Sequence, residues 1–360
     1  MVSRRQALSA LSAWAGAAAL GCGEAWRGST TGPTCGGLAG RRIRWIVPNA
    51  PGGGYDAESR LIEPFLEQRL GAEIAIDNVP GAGGILGARA IAAAVPDGLT
   101  LGVVGVPGLL VAALSRAAGA PNPASDLTIL GRISRSYHVW ATGRNSGLET
   151  LDDALAAAEV RPLVFAINEV GSASFVSITA TASVLDVNVE IVAGFGGTRA
   201  ASLAAVRGDV DLVGFNFDTI VDLIDAGELR PLLQVSLSRI APHQSLDGVA
   251  ILGGEDGWAL RRTRARGRDI DQTRRHTQAL VDVMGAGRVA VGPARLDTGL
   301  SACLSRTLHE TLTDARVLAA SSRTLDAASA RVAQDDVQRA AAEAPLLLPD
   351  LEAAMRRVRQ

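Results

Sequence analysis

Lysine is absent from this 360-residue sequence, so arginine supplies all 35 of its basic side chains. A phosphate-binding loop of the Walker type needs a lysine, and that chemistry is therefore excluded. The four histidines show no metal-ligand spacing with one another or with cysteine, so we expect no metal site. The acidic residues number 37, and the chain thus lacks the excess positive charge that a general nucleic-acid partner would require.

Familiar catalytic patterns are missing as well. The sequence has no Gly-x-Ser-x-Gly elbow, no paired histidine and no clustered cysteine. An enzyme would need a nucleophile or an acid-base pair. The sequence therefore favours binding over catalysis, with an exported carboxylate- or ester-processing enzyme as the alternative.

The N-terminus has the pattern of an export signal. Arg4 and Arg5 precede an uncharged, largely apolar run over residues 7–20, which predicts a signal peptide over residues 1–21. The paired arginines are compatible with the twin-arginine route and with ordinary export. Ala19-Leu20-Gly21-Cys22 resembles a lipoprotein box, so we expect a lipid on Cys22; the alternative is a cysteine within a plain cleavage region. We therefore expect a periplasmic or cell-envelope protein, with the membrane contacted only through that anchor.

Residues 22–40 are rich in Gly, Ser and Thr without a hydrophobic period, which predicts a flexible tether. Cys35 and Cys303 could pair in an oxidising compartment. Because Cys35 lies in the predicted tether, we expect no structurally important disulfide.

From Arg41 onward, short apolar runs alternate with longer Ala-rich segments, which predicts parallel sheets covered by helices. The predicted strands are residues 43–47, 73–76, 100–104, 163–167, 189–192 and 210–214. The predicted helices are residues 57–70, 85–94, 150–159, 173–185, 197–207 and 217–226. Residues 253–276 have an irregular pattern and residues 300–360 a helical one. Seven arginines lie within residues 261–275, and both a solvated loop and a surface that docks onto an acidic membrane component remain open.

Glycines cluster at four junctions between a predicted strand and a predicted helix. The first is the most informative: three consecutive glycines at 52–54 precede a helical segment that begins near Asp56. Backbone amides and a helix N-terminus there would attract an anion. At the second, a dinucleotide-binding frame starting at Gly81 would require glycine where Leu86 stands, so we expect no nicotinamide cofactor and no other cofactor.

The third junction, residues 165–175, supplies the hydroxyls of Ser172 and Ser174, although ordinary helix capping would explain them too. The fourth is residues 193–200. Open α/β sheets bind ligands at the carboxyl ends of their strands, and the repetition of glycine-bearing junctions at that edge favours a ligand site.

Three sequence blocks carry a resemblance to a known family. They are Pro48-x-Ala50-Pro-Gly-Gly-Gly-x-Asp56, Asn78-x-Pro-Gly-Ala-Gly-Gly-x-x-Gly-Ala88 and Pro96-Asp-Gly-x-Thr100-Leu. Their order and spacing resemble the substrate-binding proteins of tripartite tricarboxylate transporters, also called the Bug family. The resemblance implies an α/β, two-lobed type II periplasmic-binding-protein-like fold, with two sheets covered by helices and a hinge cleft between them.

The strand-like segments 138–142 and 232–236 could cross between the sheets. We therefore predict a first lobe from residues 41–141 and 237–360, the latter ending in helices, and a second lobe from residues 142–236. The resemblance implies that the cleft holds a ligand between two loops and one further acidic residue. These residues are Ala50, Pro51, Gly52, Gly53, Gly54, Tyr55 and Asp56 in the first lobe, and Glu169, Gly171, Ser172, Ala173, Ser174 and Asp218 in the second.

The chain departs from the family pattern at Asn49, Tyr55 and Glu169. For Asp56 we favour helix capping over ligand contact. For Glu169, capping or solvent exposure and binding of a ligand ammonium group are both open. The implied function is capture of a small carboxylate and its delivery to the membrane permease of a tripartite tricarboxylate-type transporter; a sensor-linked binding protein would share the binding step.

Overall fold

The computed structural model describes residue 35 and residues 37–240, 243–321, 325, 328 and 330–358. The predicted signal peptide and Cys22 lie outside the described residues, so export and lipidation stay predictions.

The first sheet contains, among the described residues, five strands: β1 (Arg42–Val47), β2 (Glu73–Asn78), β3 (Thr100–Gly105), β4 (Leu127–Ser134) and β11 (Arg288–Pro293). Their spatial order is β2-β1-β3-β11-β4. Strands β2, β1 and β3 are parallel, whereas β11 runs antiparallel to both β3 and β4. The amino end of β11 therefore lies at the carboxyl end of β3.

The second sheet contains six strands within the same described part of the chain: β5 (His138–Gly143), β6 (Leu163–Ala166), β7 (Val189–Val192), β8 (Leu212–Asn216), β9 (Leu229–Gln234) and β10 (Ala250–Ile251). Their order is β10-β9-β5-β8-β6-β7. Only β5 is antiparallel to its neighbours β8 and β9.

Helices connect and cover these strands. They are α1 (Gly54–Leu70), α2 (Ile85–Ala92), α3 (Val106–Leu114), α4 (Leu151–Val160), α5 (Ala173–Leu185), α6 (Thr198–Arg207), α7 (Phe217–Asp225), α8 (Trp258–Ala265), α9 (Ile270–Gly285), α10 (Thr298–Leu312), α11 (Ala315–Ala320), α12 (Ala330–Glu343) and α13 (Leu348–Val358). All the predicted strands and helices are confirmed to within a few residues. The prediction of an irregular segment over residues 253–276 was wrong, because α8 and the start of α9 occupy it.

Two strands belong to a different sheet from the one their predicted lobe implies. The chain passes from the first sheet to the second between Ser134 and His138, and β5 lies wholly in the second sheet. It returns to the first sheet only after β10, which pairs with β9. The sequence predicts the extended character of β5 but not β10. The sheet to which each belongs is decided by hydrogen bonding to β8 and β9, which no local pattern encodes.

The end of the predicted tether is part of the folded protein. Cys35 and Leu38 are buried in the core of the first sheet beside Ile43. Cys35 forms a disulfide with Cys303 of α10, with their Cα atoms 5.4 Å apart. The expectation of no structurally important disulfide was therefore wrong. Burial of Leu38 brings the chain back onto the core just after Cys35, a tertiary contact that a Gly-rich sequence does not reveal.

None of the described helices combines the length and the apolar character that crossing a bilayer requires. The same residues contain no group of three or more histidine, cysteine or acidic side chains arranged to hold a metal ion.

Candidate functional site

The loop between β1 and α1 presents backbone amides at the carboxyl edge of the first sheet. Gly52 has a φ of +80°, which favours glycine, and its N–H donates to Asp56 Oδ2 over 2.9 Å. Gly53 occupies the N-cap position of α1 and brings no side-chain acceptor. The first-turn amides of α1 are therefore open to an external anion. Ala50 and Pro51 lie at the exposed tip of the loop.

Asp56 holds this loop from within. Its carboxylate also accepts from Arg60 Nε at 3.0 Å and from Asn78 Nδ2 at 3.1 Å, and the residue is only 3% exposed. Burial raises its pKa, but the hydrogen bonds from Arg60, Gly52 and Asn78 outweigh burial and lower the pKa below its usual value. The carboxylate bonds to the Gly52 N–H, which precedes α1, and to no first-turn amide, so Asp56 does not cap the helix as we expected. These contacts leave little of the carboxylate for a ligand, so Asp56 orients the loop.

Tyr55 packs against a residue that the sequence analysis missed, Arg288. The Arg288 guanidinium carbon lies 4.3 Å from the centre of the Tyr55 ring. A Cβ added at Gly105 would come within 2.0 Å of the Tyr55 hydroxyl, so the close approach requires glycine there. Burial raises the pKa of Tyr55, and the charge of Arg288 opposes this shift. The hydroxyl therefore lies inside the site, against the end of β3.

Arg288 and Glu58 form a buried ion pair below the first-sheet loop. Arg288 Nη1 lies 2.5 Å from Glu58 Oε1, and the two residues are 5% and 1% exposed. Ser134 Oγ donates to the same carboxylate oxygen at 3.2 Å. Arg288 begins β11, so the register of that strand brings it between Gly105 and Ser134. An arginine at the start of the apolar segment 289–291 was the available sequence signal.

The second sheet contributes to the surroundings of this pair. The positive charge of Arg288 acts on His138 at the start of β5 and is itself stabilised in part by Asp218 in the first turn of α7. Burial, reinforced by Arg288, lowers the pKa of His138 to about 3. His138 is therefore neutral at physiological pH. The buried cluster of Glu58, Arg288, Asp218 and the neutral His138 thus joins elements of both sheets.

The second-sheet loop between β6 and α5 holds the other predicted residues. Ser172 caps α5 by accepting from the Phe175 N–H at 3.3 Å, and its hydroxyl also lies 2.8 Å from that of Ser174. The capping interpretation of Ser172 is confirmed, and Ser174 is buried. Gly171 has a φ of +84°. The Glu169 carboxylate crosses to the first-sheet side, where it accepts from the Gly83 N–H over 2.7 Å.

The loops of the two sheets touch at two places. A Cβ added at Gly108 of α3 would lie 2.7 Å from the Gly171 carbonyl oxygen, and one at Gly83 would lie 3.6 Å from the Gly171 carbonyl carbon. A Cβ at Gly54 would lie 3.0 Å from Thr219 Cγ2. Gly171 thus approaches Gly83, in the turn after β2, and Gly108, in the first turn of α3. The loop between β1 and α1 instead approaches α7.

Helix starts at this inter-sheet region are not all alike. Five of the described helices begin at a residue whose side chain accepts a first-turn N–H: α5 at Ser172 within this region, and α4 at Thr150, α9 at Asp269, α10 at Asp297 and α11 at Asp314 elsewhere. In contrast, α1, α3 and α7 begin at Gly53, Gly105 and Asn216 without a side-chain cap. The first-turn amides of α1 therefore remain for an external acceptor, whereas the Val106 and Phe217 N–H groups at the starts of α3 and α7 already donate to the Gly287 and Tyr137 carbonyls.

The architecture matches solved periplasmic binding proteins. The adipate-bound R. palustris protein superposes with a TM-score of 0.67 at 20% identity, over 87% of this chain and 97% of that one. MatC from Rhodopseudomonas palustris with bound malate gives a TM-score of 0.64 at 22% identity, over 84% and 98%. The fold is thus that of a two-sheet periplasmic binding protein.

The sequence narrows this class to a family. The model of the tripartite tricarboxylate transporter family receptor matches residues 59–257, more than half of the chain. Protein BugT of Bordetella pertussis is 27% identical over 216 residues, which cover 59% of this chain and 66% of that protein. The match spans slightly less than two thirds of that relative's length. The chain belongs to the family of tripartite tricarboxylate transporter receptors, which confirms the resemblance seen in the sequence.

Proposed function

We propose that the protein is an extracytoplasmic solute-binding protein that captures a small carboxylate and delivers it to the permease of a tripartite tricarboxylate-type transporter. The observation that carries the proposal is the direct approach of Gly108 and Gly83 to Gly171 beside helix starts that lack side-chain caps. Membership of the receptor family supports it, as do the adipate and malate bound to two structural relatives. Binding without chemical conversion is the proposed activity.

The ligand carboxylate would bind amides of the first-sheet loop, residues 53–55, and the second-sheet loop would complete its hydrogen bonds. Gly171, Ser172, Ala173 and Ser174 are the proposed second-lobe contacts of that carboxylate, and Glu169 and Asp218, which cannot donate to an anion, would face the rest of the solute. The lobes would meet at two crossings, residues 135–137 and a segment between residues 252 and 287. A ligand that contacts both loops favours their close approach by its differential affinity for that state.

Export to the periplasm is part of the proposal, with a mature N-terminus at Cys22 that carries lipid. The apolar run over residues 7–20 and the sequence Ala19-Leu20-Gly21-Cys22 support it. Mass spectrometry of the protein from its native membrane should find a lipidated Cys22 as the first residue. An unmodified protein cleaved after Cys22 would exclude the anchor.

A thermal-shift screen of the mature chain tests the binding function. The compounds are mono-, di- and tricarboxylates, amino acids and aromatic carboxylates. A ligand at 100 times its dissociation constant should add about 2.7 kcal/mol of stability. Failure of every compound to stabilise the protein would contradict the proposal.

A glycine variant tests whether the inter-sheet approach is the binding mode. Gly108→Ala places a methyl group 2.7 Å from the Gly171 carbonyl, a distance that Cβ atoms do not tolerate, so the loops must separate. We expect calorimetry to show at least a tenfold loss of affinity for a carboxylate found in the screen. Gly285→Ala at the end of α9 is the matched control, because its Cβ would meet only an Arg135 side-chain nitrogen at 3.5 Å, an ordinary contact, and its φ is not positive. Equal affinity in both variants would place the site elsewhere.

A further inference from the structure

The Glu169 side chain makes the contact that a ligand carboxylate is expected to make. Its Oε2 atom accepts the Gly83 N–H at 2.7 Å, joining a second-sheet loop to a glycine-bearing turn 86 residues earlier in the chain. A carboxylate held by a backbone amide is the arrangement proposed for the bound solute. Here the protein supplies that carboxylate itself.

The backbone around this bond is shaped for a close approach. Gly83 has a φ of +68° and Gly171 one of +84°, both in the region that favours glycine. A Cβ added at Gly83 or Gly108 would lie 3.6 Å or 2.7 Å from the backbone of Gly171. The backbone of the second-sheet loop is therefore nearly in van der Waals contact with that of the first-sheet side. Glu169 is therefore fixed at the place where the two loops meet, and its carboxylate takes a position that an anionic group of a solute could otherwise occupy.

The charges around Arg288 do not favour a further anion. Asp218, 8% exposed, is a second carboxylate of the second sheet, and its charge stabilises Arg288 in part. The charge of Arg288, the buried cation on the first-sheet side, is matched by Glu58 at 2.5 Å. A solute with a carboxylate at each end would bring its second negative charge towards Glu169. The repulsion between these two negative charges would disfavour binding.

We propose that Glu169 acts as a built-in anion that restricts the site to solutes with a single carboxylate group and a neutral or cationic far end. This inference rests on the proposed function and specifies its solute class. Glu169 is thus a specificity-determining residue: it leaves the amides of the first loop to the solute carboxylate and excludes a second one.

Two ligand series of equal chain length test the inference. Straight-chain monocarboxylates of two to six carbons and the dicarboxylates of the same length are titrated by calorimetry into the wild type, Glu169→Gln and Glu169→Ala. The glutamine keeps the side-chain length and an acceptor but removes the charge. The wild type should bind the tightest monocarboxylate at least tenfold more tightly than its dicarboxylate partner. Both variants should lower that ratio at least tenfold.

Glu352→Gln is the control, because it makes the same change of charge at an exposed position on α13. It should keep the wild-type ratio. Two results would overturn the inference and leave the proposed binding function standing. One is a wild type that prefers dicarboxylates. The other is an affinity ratio that, in both Glu169 variants, stays within twofold of the wild-type ratio. If no carboxylate in these series or in the wider screen stabilises the wild type, the proposed function fails and the inference fails with it.

Discussion

Two groups of arginines in this molecule make the same kind of bond in opposite surroundings. Arg288 is 5% exposed and lies 2.5 Å from Glu58, in contact with the ring of Tyr55. The arginines of the segment 258–268 lie nearer the surface, with the side chains of Arg262 and Arg266 14% and 32% exposed. Arg262 bonds to Glu159 at 2.6 Å and Arg266 to Asp186 at 2.5 Å, and the two carboxylates are 55% and 44% exposed.

The difference separates two uses of charge. A buried pair depends on both partners, since removal of one leaves the other as an uncompensated charge. An exposed pair competes with water and salt, so each contact contributes little. The surface arginines nevertheless have a defined role: they tie α8 to the ends of α4 and α5 in the second sheet. The Arg-rich segment is therefore largely helical and not a loop, most of its arginines are exposed, and docking onto an acidic membrane component stays a prediction.

The largest effect is expected from breaking the buried pair on one side. Arg288→Met keeps much of the side-chain volume but leaves Glu58 charged and buried. The free energy of unfolding should fall by about 3–5 kcal/mol. Urea denaturation followed by circular dichroism measures it.

Removal of both charges sharpens the same prediction. In Glu58→Gln/Arg288→Met the Glu58 charge is removed as well, and only Asp218 loses part of its compensation, so much of the lost stability should return. A single variant that loses less than about 1 kcal/mol, or a double variant less stable than the single one, would contradict this account of the pair.

The second prediction uses pH to reach the buried cluster. The pKa of His138 is about 3 in the folded protein, below its unfolded value. The unfolded state therefore binds a proton as pH falls through about 6.5 while the folded state does not. The stabilising contribution of neutral His138 is complete above this pH and is lost progressively as pH falls towards 3. Between pH 7 and 5 it should decrease by about 2 kcal/mol.

His138→Gln should remove this part of the pH dependence. His276→Gln is the control, because His276 lies on α9 with Nδ1 2.9 Å from the Gln272 carbonyl, outside the buried cluster. Urea midpoints at pH 7, 6 and 5 provide the comparison. The prediction fails if the His138 variant loses stability with acid as steeply as the wild type and the control.

The sequence predicted most of the elements but not the buried cluster. Period and composition located α5 at residues 173–185 and β7 at residues 189–192 correctly, because those signals are local. Arg288 and Glu58 are 230 residues apart. Their pairing depends on the antiparallel placement of β11 beside β3 and β4, which no local pattern encodes.

The candidate site divides in the same way. Glycine clusters identified the loops, since the positive φ at Gly52 and Gly171 favours glycine and glycine is visible in the sequence. The sequence pattern did not predict which loops lie against each other. The placement of a ligand between residues 50–56 and residues 169–174 stays a proposal, whereas Gly171 itself approaches Gly83 and Gly108. Glu169 was recognised as unusual, but its bond to Gly83 depends on how the lobes approach each other.

The smallest effect is expected on the surface, where Arg266→Ala removes contacts with Asp186 and Glu159. Both carboxylates are exposed to water, so the melting temperature should fall by only about 2 °C or less at low ionic strength. In 0.5 M salt the difference from the wild type should disappear, because the Debye length shrinks to roughly 4 Å. Arg275→Ala is the matched control, because it makes the same change of charge at an exposed position on α9. Arg275 itself forms no salt bridge with any of the described residues. Differential scanning calorimetry of both variants at low and high salt decides between the two uses of charge. A loss for Arg266→Ala as large as that for Arg288→Met, or one that salt does not reduce, would show that the α8 arginines act as a buried clamp.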